Sequence, residues 1–241
     1  VVVPVVRDGE PLALKVTWPH PEGEHEALAL RTWGGSGAVR LVAALPSDGA
    51  LLLERLDADV DLSDVWVDEA CEVVGGLLAR LHVVAPPQVP RLPEYLAPHL
   101  ERMAARPAVP RRVVSRTQGL ARELLSGAVP EALLHTDLHD ENVLWGPLGW
   151  TAIDPKPVAG HPGFDLFPLL HNRVDELGTG AAFRWSVRHR VALAAEAAGI
   201  DLDEAFAWTL LRAGVEVSWV SETGSADDVS LHVALTKALD E

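Results

Sequence analysis

The chain has 241 residues, of which 48% are hydrophobic, and a formal net charge of −15. The hydrophobic content supports a packed core and argues against disorder, while the acidic balance argues against a nucleic-acid partner. No apolar run approaches the roughly 20 residues of a membrane-spanning helix, and the single cysteine, Cys71, excludes an internal disulfide. We therefore expect a cytoplasmic globular protein without a membrane partner. No sequence feature favours a particular oligomeric state.

The N-terminal region is predicted to form a small antiparallel sheet. Its strands are rich in β-branched and aliphatic residues, and the Asp8-Gly9 pair between the first two is a typical hairpin turn. Lys15 lies in the second strand. The predicted strands are residues 1–6, 12–17, 41–45 and 50–53.

A helix is predicted between the second and third strands, over residues 22–33. Three glutamates, Glu22, Glu24 and Glu26, lie near its start, and the first and last of these share a helical face. Acidic side chains near a helix N-terminus are also favoured by the helix dipole alone. The spacing of these glutamates therefore does not determine which of them would pair with Lys15.

Beyond residue 57 the apolar pattern becomes helical. The segment that starts at Asp68 is apolar at helical spacing and ends before Pro86-Pro87, and a proline-rich connector covers residues 85–93. Asp201 or Asp203 is a plausible cap for the last helix. Further helices are predicted near residues 94–105, 111–126, 164–172, 181–198 and 203–220.

The segment LLHTDLHDENVLWGPLGWTAIDPKP carries the clearest chemical signal. Asn142 follows Asp137 by five residues, and Asp154 follows Asn142 by twelve, with a predicted β-hairpin between the last two. A tight hairpin would bring Asn142 and Asp154 side by side. In the protein-kinase signature the corresponding aspartate is the base and the asparagine and later aspartate hold metal, so this spacing is typical of a phosphoryl-transfer site.

The block HTDLHDENVL resembles the H-G-D-x-H-x-x-N motif of aminoglycoside phosphotransferases. The following AIDPKP and GHPGFDLFPLLHNR resemble the branch that contains streptomycin 6-phosphotransferases and hydroxyurea phosphotransferases. The resemblance implies an α+β, two-lobed protein-kinase-like fold. Residues 1–56 would form the nucleotide lobe, with a hinge near 54–57, and residues 57–241 a helical lobe that binds the acceptor.

Two positions depart from the family pattern. Thr136 replaces the usual glycine, and Pro155-Lys156 follow the metal aspartate where kinases generally have a glycine. The sequence also begins in what corresponds to the second strand of such a lobe. We therefore expect the first strand and its glycine-bearing loop to be missing from it.

The resemblance also implies roles for individual residues. Asp137 would be the catalytic base, Lys15 a phosphate ligand, and Glu26 its partner, because EHEALAL resembles the family pattern around that glutamate. Asn142 and Asp154 would hold Mg²⁺. The backbone between Glu54 and Leu56 would bind the adenine of ATP. Supporting positions in or beside the catalytic loop would be His135, His139 and Asp165.

The sequence thus predicts an ATP-dependent phosphotransferase that acts on a hydroxyl of a small cationic antibiotic, such as streptomycin. Three alternatives stay open. The acceptor could be hydroxyurea or a metabolite alcohol, or the protein could bind nucleotide or a small ligand without catalysis. A zinc or iron hydrolase is the third. Its ligands would be His135, Asp137, His139 and Asp140, of which the first three share a face of an extended strand.

Overall fold

The computed structural model describes residues 1–18 and 23–240, and its N-terminal part is a four-stranded antiparallel sheet with the order β1-β2-β4-β3. Asp8 and Gly9 have φ angles of 53° and 82°. This left-handed pair is what a two-residue hairpin needs. The strands are β1 (Val2–Arg7), β2 (Glu10–Val16), β3 (Leu41–Leu45) and β4 (Ala50–Glu54).

Helix α1 (Glu26–Trp33) connects β2 with β3. Ala29 and Leu30 are fully buried on it, and Gly34 ends it in the left-handed conformation. The indole nitrogen of Trp33 donates a hydrogen bond to the carbonyl of Leu81, 2.8 Å away, which fixes the helix to the next part of the chain. Glu22, which the sequence pattern placed in this helix, lies outside the described residues.

A second sheet, ordered β5-β7-β8, follows directly from the first. Only Arg55 and Leu56 separate β4 from β5, and β7 and β8 form the hairpin that the sequence predicted. The backbone of Ala152 accepts a hydrogen bond from Val39 N and donates one to the carbonyl of Gly37, both 2.9 Å long. The hairpin is therefore attached to the connection between α1 and β3. The strands are β5 (Asp57–Asp61), β7 (Val143–Gly146) and β8 (Gly149–Ala152).

The rest of the chain is mainly helical. Helices α2 and α5 pack closely: a Cβ atom added at Gly75 would lie 2.4 Å from the carbonyl oxygen of Ala194, so only glycine fits there. Asp201 caps α6 by accepting hydrogen bonds from Asp203 N and Glu204 N, as predicted. The helices are α2 (Val67–Leu81), α3 (Leu92–Met103), α4 (Arg111–Leu124), α5 (Ala181–Ala198), α6 (Leu202–Thr223) and α7 (Ala226–Asp240).

Two of the differences from the sequence prediction lie within residues 132–170. The segment expected as a helix over residues 164–172 is a 3-10 helix, Pro162–Leu170. Pro168 inside it lacks the N–H group that a regular α-helix would use. A short two-stranded sheet of β6 (Ala132–Leu134) and β9 (Val158–Gly160) was not predicted. Three-residue strands are too short to show a period.

The architecture agrees with the predicted α+β class, since an antiparallel sheet precedes a mainly helical region. The division of the chain near Leu56 stays a prediction. Within the described part of the chain, no helix combines the length and the apolar character needed to cross a membrane.

Candidate active site

The loop that follows β6 carries His135, Thr136 and Asp137. Thr136 has a φ of 59°, in the left-handed region that favours glycine. Its N–H donates a hydrogen bond to Oδ1 of Asp165, 2.5 Å away, and its hydroxyl donates one to the carbonyl of Lys156. The threonine thus adopts the conformation that the usual glycine of the motif would favour, and two hydrogen bonds hold it there.

Asp165 connects this loop to the helical region. Its fully buried carboxylate accepts hydrogen bonds from the N–H groups of His135, at 2.8 Å, and Thr136, and Oδ2 lies 3.0 Å from Nε2 of His82. Burial raises the pKa of Asp165, but the hydrogen bond and charge of His82 together with the donated N–H lower it more. The net pKa lies below the ordinary value for aspartate, so the carboxylate is ionised at neutral pH.

The His135 side chain is fully buried. Its Nδ1 accepts a hydrogen bond from the N–H of Asp137, so Nε2 carries the proton and donates it to the carbonyl of Ile153, 2.9 Å away. Burial lowers the pKa of this imidazole, which keeps it neutral. His135 therefore joins the loop that carries Asp137 to the segment that carries Asp154.

Asn142 is held against the same loop. Its Nδ2 donates a 2.8 Å hydrogen bond to the backbone carbonyl of Asp137 and lies 3.0 Å from Nε2 of His139. The opposite ring nitrogen of His139 lies 3.0 Å from Oδ1 of Asn172. Because the amide nitrogen faces the loop, Oδ1 is the atom that Asn142 can offer to a cation.

Asn142 directly precedes β7 and Asp154 closely follows β8, so both lie at the open end of the hairpin, opposite its turn, as the sequence predicted. Val143 pairs with Ala152 in the β7–β8 register, and the N–H of Ile153 donates a 2.9 Å hydrogen bond to the carbonyl of Asn142. The donors at this end of the hairpin are thus an amide oxygen and a carboxylate. Hard oxygen donors of this kind fit Mg²⁺.

Lys15 joins the N-terminal sheet to the hairpin. Its Nζ lies 2.7 Å from Oε1 of Glu26 and also contacts Oδ1 of Asp154. Burial lowers the pKa of Lys15, but the charge of Glu26 and the hydrogen bonds to both carboxylates raise it above its ordinary value. Burial raises the pKa of Asp154, but the hydrogen bond and charge of Lys15 bring it below its ordinary value. Lys15 and Asp154 are therefore both charged at neutral pH.

Lys156 was not predicted as a site residue. Its Nζ lies 3.0 Å from Oδ2 of Asp137, and its backbone N–H donates a 2.9 Å hydrogen bond to the carbonyl of His135. In the sequence it stood out only as a departure after Pro155. The available signal was a basic residue two positions after the aspartate that the sequence predicts as a metal ligand.

Glu54 and Leu56 are placed away from this cluster. Lys15 pairs with Leu51 in the β2–β4 register, and Glu54 lies three residues further along, about 10 Å at the usual strand rise. The Glu54 carboxylate accepts a 2.7 Å hydrogen bond from the N–H of Arg40. The Leu56 side chain occupies the space where Gly146 lacks a Cβ atom. Both side chains are thus engaged by the protein, and the predicted adenine contacts concern only the backbone.

The four residues of the hydrolase alternative are not brought together as a ligand set. His135 and His139 are bonded to different partners, and Asp140 pairs with Arg173 at 2.8 Å. Within residues 1–18 and 23–240, the cluster whose donor atoms could share one ion is a different one, formed by His171, Glu216 and His232.

Comparisons with known proteins show what the chain is similar to. A family model described as "Aminoglycoside/hydroxyurea antibiotic resistance kinase" matches residues 1–224. The chain is 40% identical to streptomycin 6-kinase of Streptomyces glaucescens and 39% identical to hydroxyurea phosphotransferase of Kitasatospora aureofaciens. Each alignment covers 99% of this chain, and they cover 80% and 71% of those proteins, respectively.

Solved structures confirm the kinase-like fold. An aminoglycoside phosphotransferase mutant, crystallised with ADP and hygromycin B, superposes with a TM-score of 0.65 at 12% identity, over 99% of this chain and 92% of that one. A choline kinase from Streptococcus pneumoniae superposes with a TM-score of 0.63 at 14% identity, over 99% of this chain and 89% of that one.

Proposed function

Because the chain belongs to the family of aminoglycoside/hydroxyurea antibiotic resistance kinases, we propose that it transfers the γ-phosphoryl group of ATP to a hydroxyl of a small cationic antibiotic. Streptomycin is the first acceptor to test, since two streptomycin 6-kinases are 38% and 40% identical to the chain. The observation that carries the proposal is the convergence of Lys15, Asp154 and the Asp137–Asn142 loop around one hairpin end.

On the acceptor side, Asp137 is the proposed catalytic base. Its carboxylate orients the acceptor hydroxyl and takes its proton as the hydroxyl oxygen bonds to the γ-phosphorus. The bond between that phosphorus and the β,γ-bridging oxygen breaks, and ADP leaves. Asn142 fixes the backbone of Asp137 through its 2.8 Å hydrogen bond, and His135 fixes it from the buried side. Positioning of this kind supplies much of the rate in phosphoryl transfer.

On the nucleotide side, Lys15 is the proposed phosphate ligand, positioned by Glu26 on α1. Asn142 and Asp154 would hold Mg²⁺, which would neutralise charge on the phosphate oxygens. The adenine would bind to the backbone of residues 54–56, about 10 Å along β4 from the partner of Lys15. In this proposal residues 1–56 form the nucleotide lobe and residues 57–241 the acceptor lobe.

Lys156 extends the proposal to the reacting group itself. Its ammonium lies beside the carboxylate of Asp137, where a γ-phosphoryl group must meet the acceptor hydroxyl. The side chain is 40% exposed, so it can leave the carboxylate when substrates bind. We assign it to the negative charge that the phosphoryl oxygens carry during transfer.

The test is ATP consumption by the purified chain with Mg²⁺ and a panel of acceptors: streptomycin, hydroxyurea and choline. We expect streptomycin-dependent release of ADP and a product heavier by one phosphoryl group. Asp137→Asn should lower kcat by roughly 10²- to 10⁴-fold while ATP still binds. Asp59→Asn, an exposed residue of β5, is the matched control and should keep wild-type turnover. Near-wild-type turnover in Asp137→Asn would contradict the assignment of the base.

Hydroxyurea is the second candidate acceptor, because a hydroxyurea phosphotransferase is 39% identical over 99% of the chain. The dependence of KM on salt concentration distinguishes streptomycin from hydroxyurea as the acceptor. Streptomycin is a polycation and the chain has a net charge of −15, so its KM should rise as salt screens the attraction. Hydroxyurea is neutral and its KM should change little. A chain that consumes ATP with neither acceptor would contradict both assignments.

A further inference from the structure

A second group of ligand-type side chains lies beside the proposed active site. His171 follows the 3-10 helix Pro162–Leu170, Glu216 lies on α6, and His232 lies on α7. One donor atom from each of the three lies within 4.8 Å of the others, and Nε2 of His171 is 3.9 Å from Oε1 of Glu216. The three residues line a cavity of about 400 Å³. The role proposed above does not use any of them.

One ligand atom of this cluster is not satisfied by the protein. Nε2 of His171 is buried and has no hydrogen-bond partner in the part of the chain that the structure describes. Buried polar atoms are almost always bonded to something. Such an atom in a residue that lines a cavity indicates a ligand that supplies the missing partner.

The orientation of His232 favours metal coordination. Its Nδ1 lies 2.8 Å from the backbone carbonyl of Asp228, so this nitrogen carries the proton. Nε2 is then left with its lone pair. A metal-bound histidine typically donates its other N–H to a carbonyl in this way, which fixes both the tautomer and the direction of the ring.

Glu216 has a comparable support. Nε of Arg212 lies 3.2 Å from Oε2 of Glu216, and the guanidinium also stacks over the ring of Trp219, 4.3 Å from its centre. The ion pair keeps the carboxylate in place and balances its charge. Oε1, the oxygen nearer His171, remains the atom that can bind an ion.

We propose that His171, Glu216 and His232 form a binding site for a divalent transition metal, best represented by Zn²⁺. Two imidazoles and one carboxylate are a known zinc ligand set, in which a fourth position stays open. The donor atoms around a tetrahedral zinc lie roughly 3.4 Å apart. The donor atoms here lie within 4.8 Å of one another, so only a small movement of the side chains would bring them to that separation. The open position would face the cavity.

This site is separate from the proposed Mg²⁺ position. The rings of His171 and His139 have their centres 6.2 Å apart, and His139 in turn contacts the amide of Asn142. The zinc ligands and the proposed Mg²⁺ ligands have no residue in common. Imidazole nitrogens suit Zn²⁺, whereas the oxygens of Asn142 and Asp154 suit Mg²⁺. The inference does not depend on the proposed phosphoryl transfer.

The test is calorimetric titration of the full chain with Zn²⁺, without nucleotide, in a buffer that does not chelate metal. We expect a single bound equivalent. Because each removes one ligand, His232→Gln and His171→Gln should weaken the affinity by at least about tenfold. His189→Gln is the matched control, since His189 also faces a carboxylate, Asp68 Oδ2 at 3.2 Å, but lies outside the cluster. It should bind as the wild type does.

Thermal unfolding keeps the result interpretable if a variant is less stable. Zn²⁺ should raise the Tm of the wild type and of His189→Gln, because a ligand of the folded state stabilises it, and it should leave the Tm of His232→Gln unchanged. Unchanged affinity in both ligand variants would overturn the proposal. So would loss of the site in Asn142→Ala, or a folded wild type that binds no Zn²⁺.

Discussion

The ammonium nitrogen of Lys156 lies 3.0 Å from Oδ2 of Asp137, so the proposed base is paired with a lysine from the segment just beyond Asp154. If Asp137 is the base, Lys156 both orients it and places a positive charge where the phosphoryl oxygens would lie. Replacing Lys156 should therefore affect the transfer step more than the binding of nucleotide.

We expect Lys156→Gln to lower kcat roughly 10- to 100-fold, because one charged stabiliser of the transferred group is lost. The KM for ATP should change much less. Steady-state kinetics with the acceptor identified in the screen measure both values. Lys237→Gln, on the exposed side of α7, is the control for removal of a lysine. An unchanged kcat in Lys156→Gln would show that the ion pair has no part in transfer.

The buried pair of Lys15 and Glu26 predicts a non-additive effect on stability. Their side chains are only 12% and 6% exposed. Lys15→Met leaves the Glu26 carboxylate buried without its cation, which should cost about 3 kcal/mol. Lys15→Met/Glu26→Gln removes both charges and should recover much of this loss. Urea unfolding of the wild type, both single variants and the double variant measures the coupling. Additive losses would argue against a strong interaction.

Asp165 predicts a pH dependence of stability. Its pKa is lower in the folded protein than in the unfolded chain, so its contribution is complete above the unfolded pKa, near 4. The contribution is lost as the pH falls below that value through the folded pKa. Asp165→Asn should destabilise the protein by roughly 2–4 kcal/mol at pH 7, because an amide cannot accept all the hydrogen bonds of the carboxylate.

Urea unfolding between pH 3 and 7 checks this expectation. The loss of stability with acid should be smaller in Asp165→Asn than in the wild type, and Asp59→Asn should follow the wild type. Equal acid sensitivity in the Asp165 variant would assign the effect to other carboxylates.

The left-handed backbone at Thr136 predicts that glycine is more stable than alanine at this position. Both Thr136→Gly and Thr136→Ala remove the hydroxyl that bonds to the carbonyl of Lys156, but only alanine keeps a Cβ atom at a φ of 59°. The glycine variant should therefore be more stable than the alanine variant by about 1 kcal/mol. Thermal unfolding compares the two directly. A more stable alanine variant would mean that the strain at this position is negligible.

The sequence was most informative where chemistry fixes spacing. The hairpin between Asn142 and Asp154, helix α5 and the Asp201 cap were predicted because turn residues, apolar periodicity and caps act locally. Helix α7 was missed. It follows α6 after only Gly224 and Ser225, and its polar residues obscure the apolar period. The formation of such a helix depends on contacts with residues that are distant in the sequence.

The same limit applies to the sites. Lys156 meets Asp137 because the backbone of residues 153–156 is hydrogen bonded to the catalytic loop, and no sequence pattern reports that pairing. The His171, Glu216 and His232 cluster joins three separate elements. Its members are far apart in the sequence, so no metal-ligand spacing could indicate them.

The two residues between β4 and β5 have a mechanical consequence. The N-terminal sheet continues through Arg55 and Leu56 into the strand beside β7, and β8 is bonded to Gly37 and Val39 on the other side. Ile153, directly after β8, is bonded in turn to the ring of His135. The hairpin thus connects the N-terminal sheet to the loop that carries Asp137. A displacement of the sheet on ligand entry would be transmitted to Asp137 through a continuous series of hydrogen bonds.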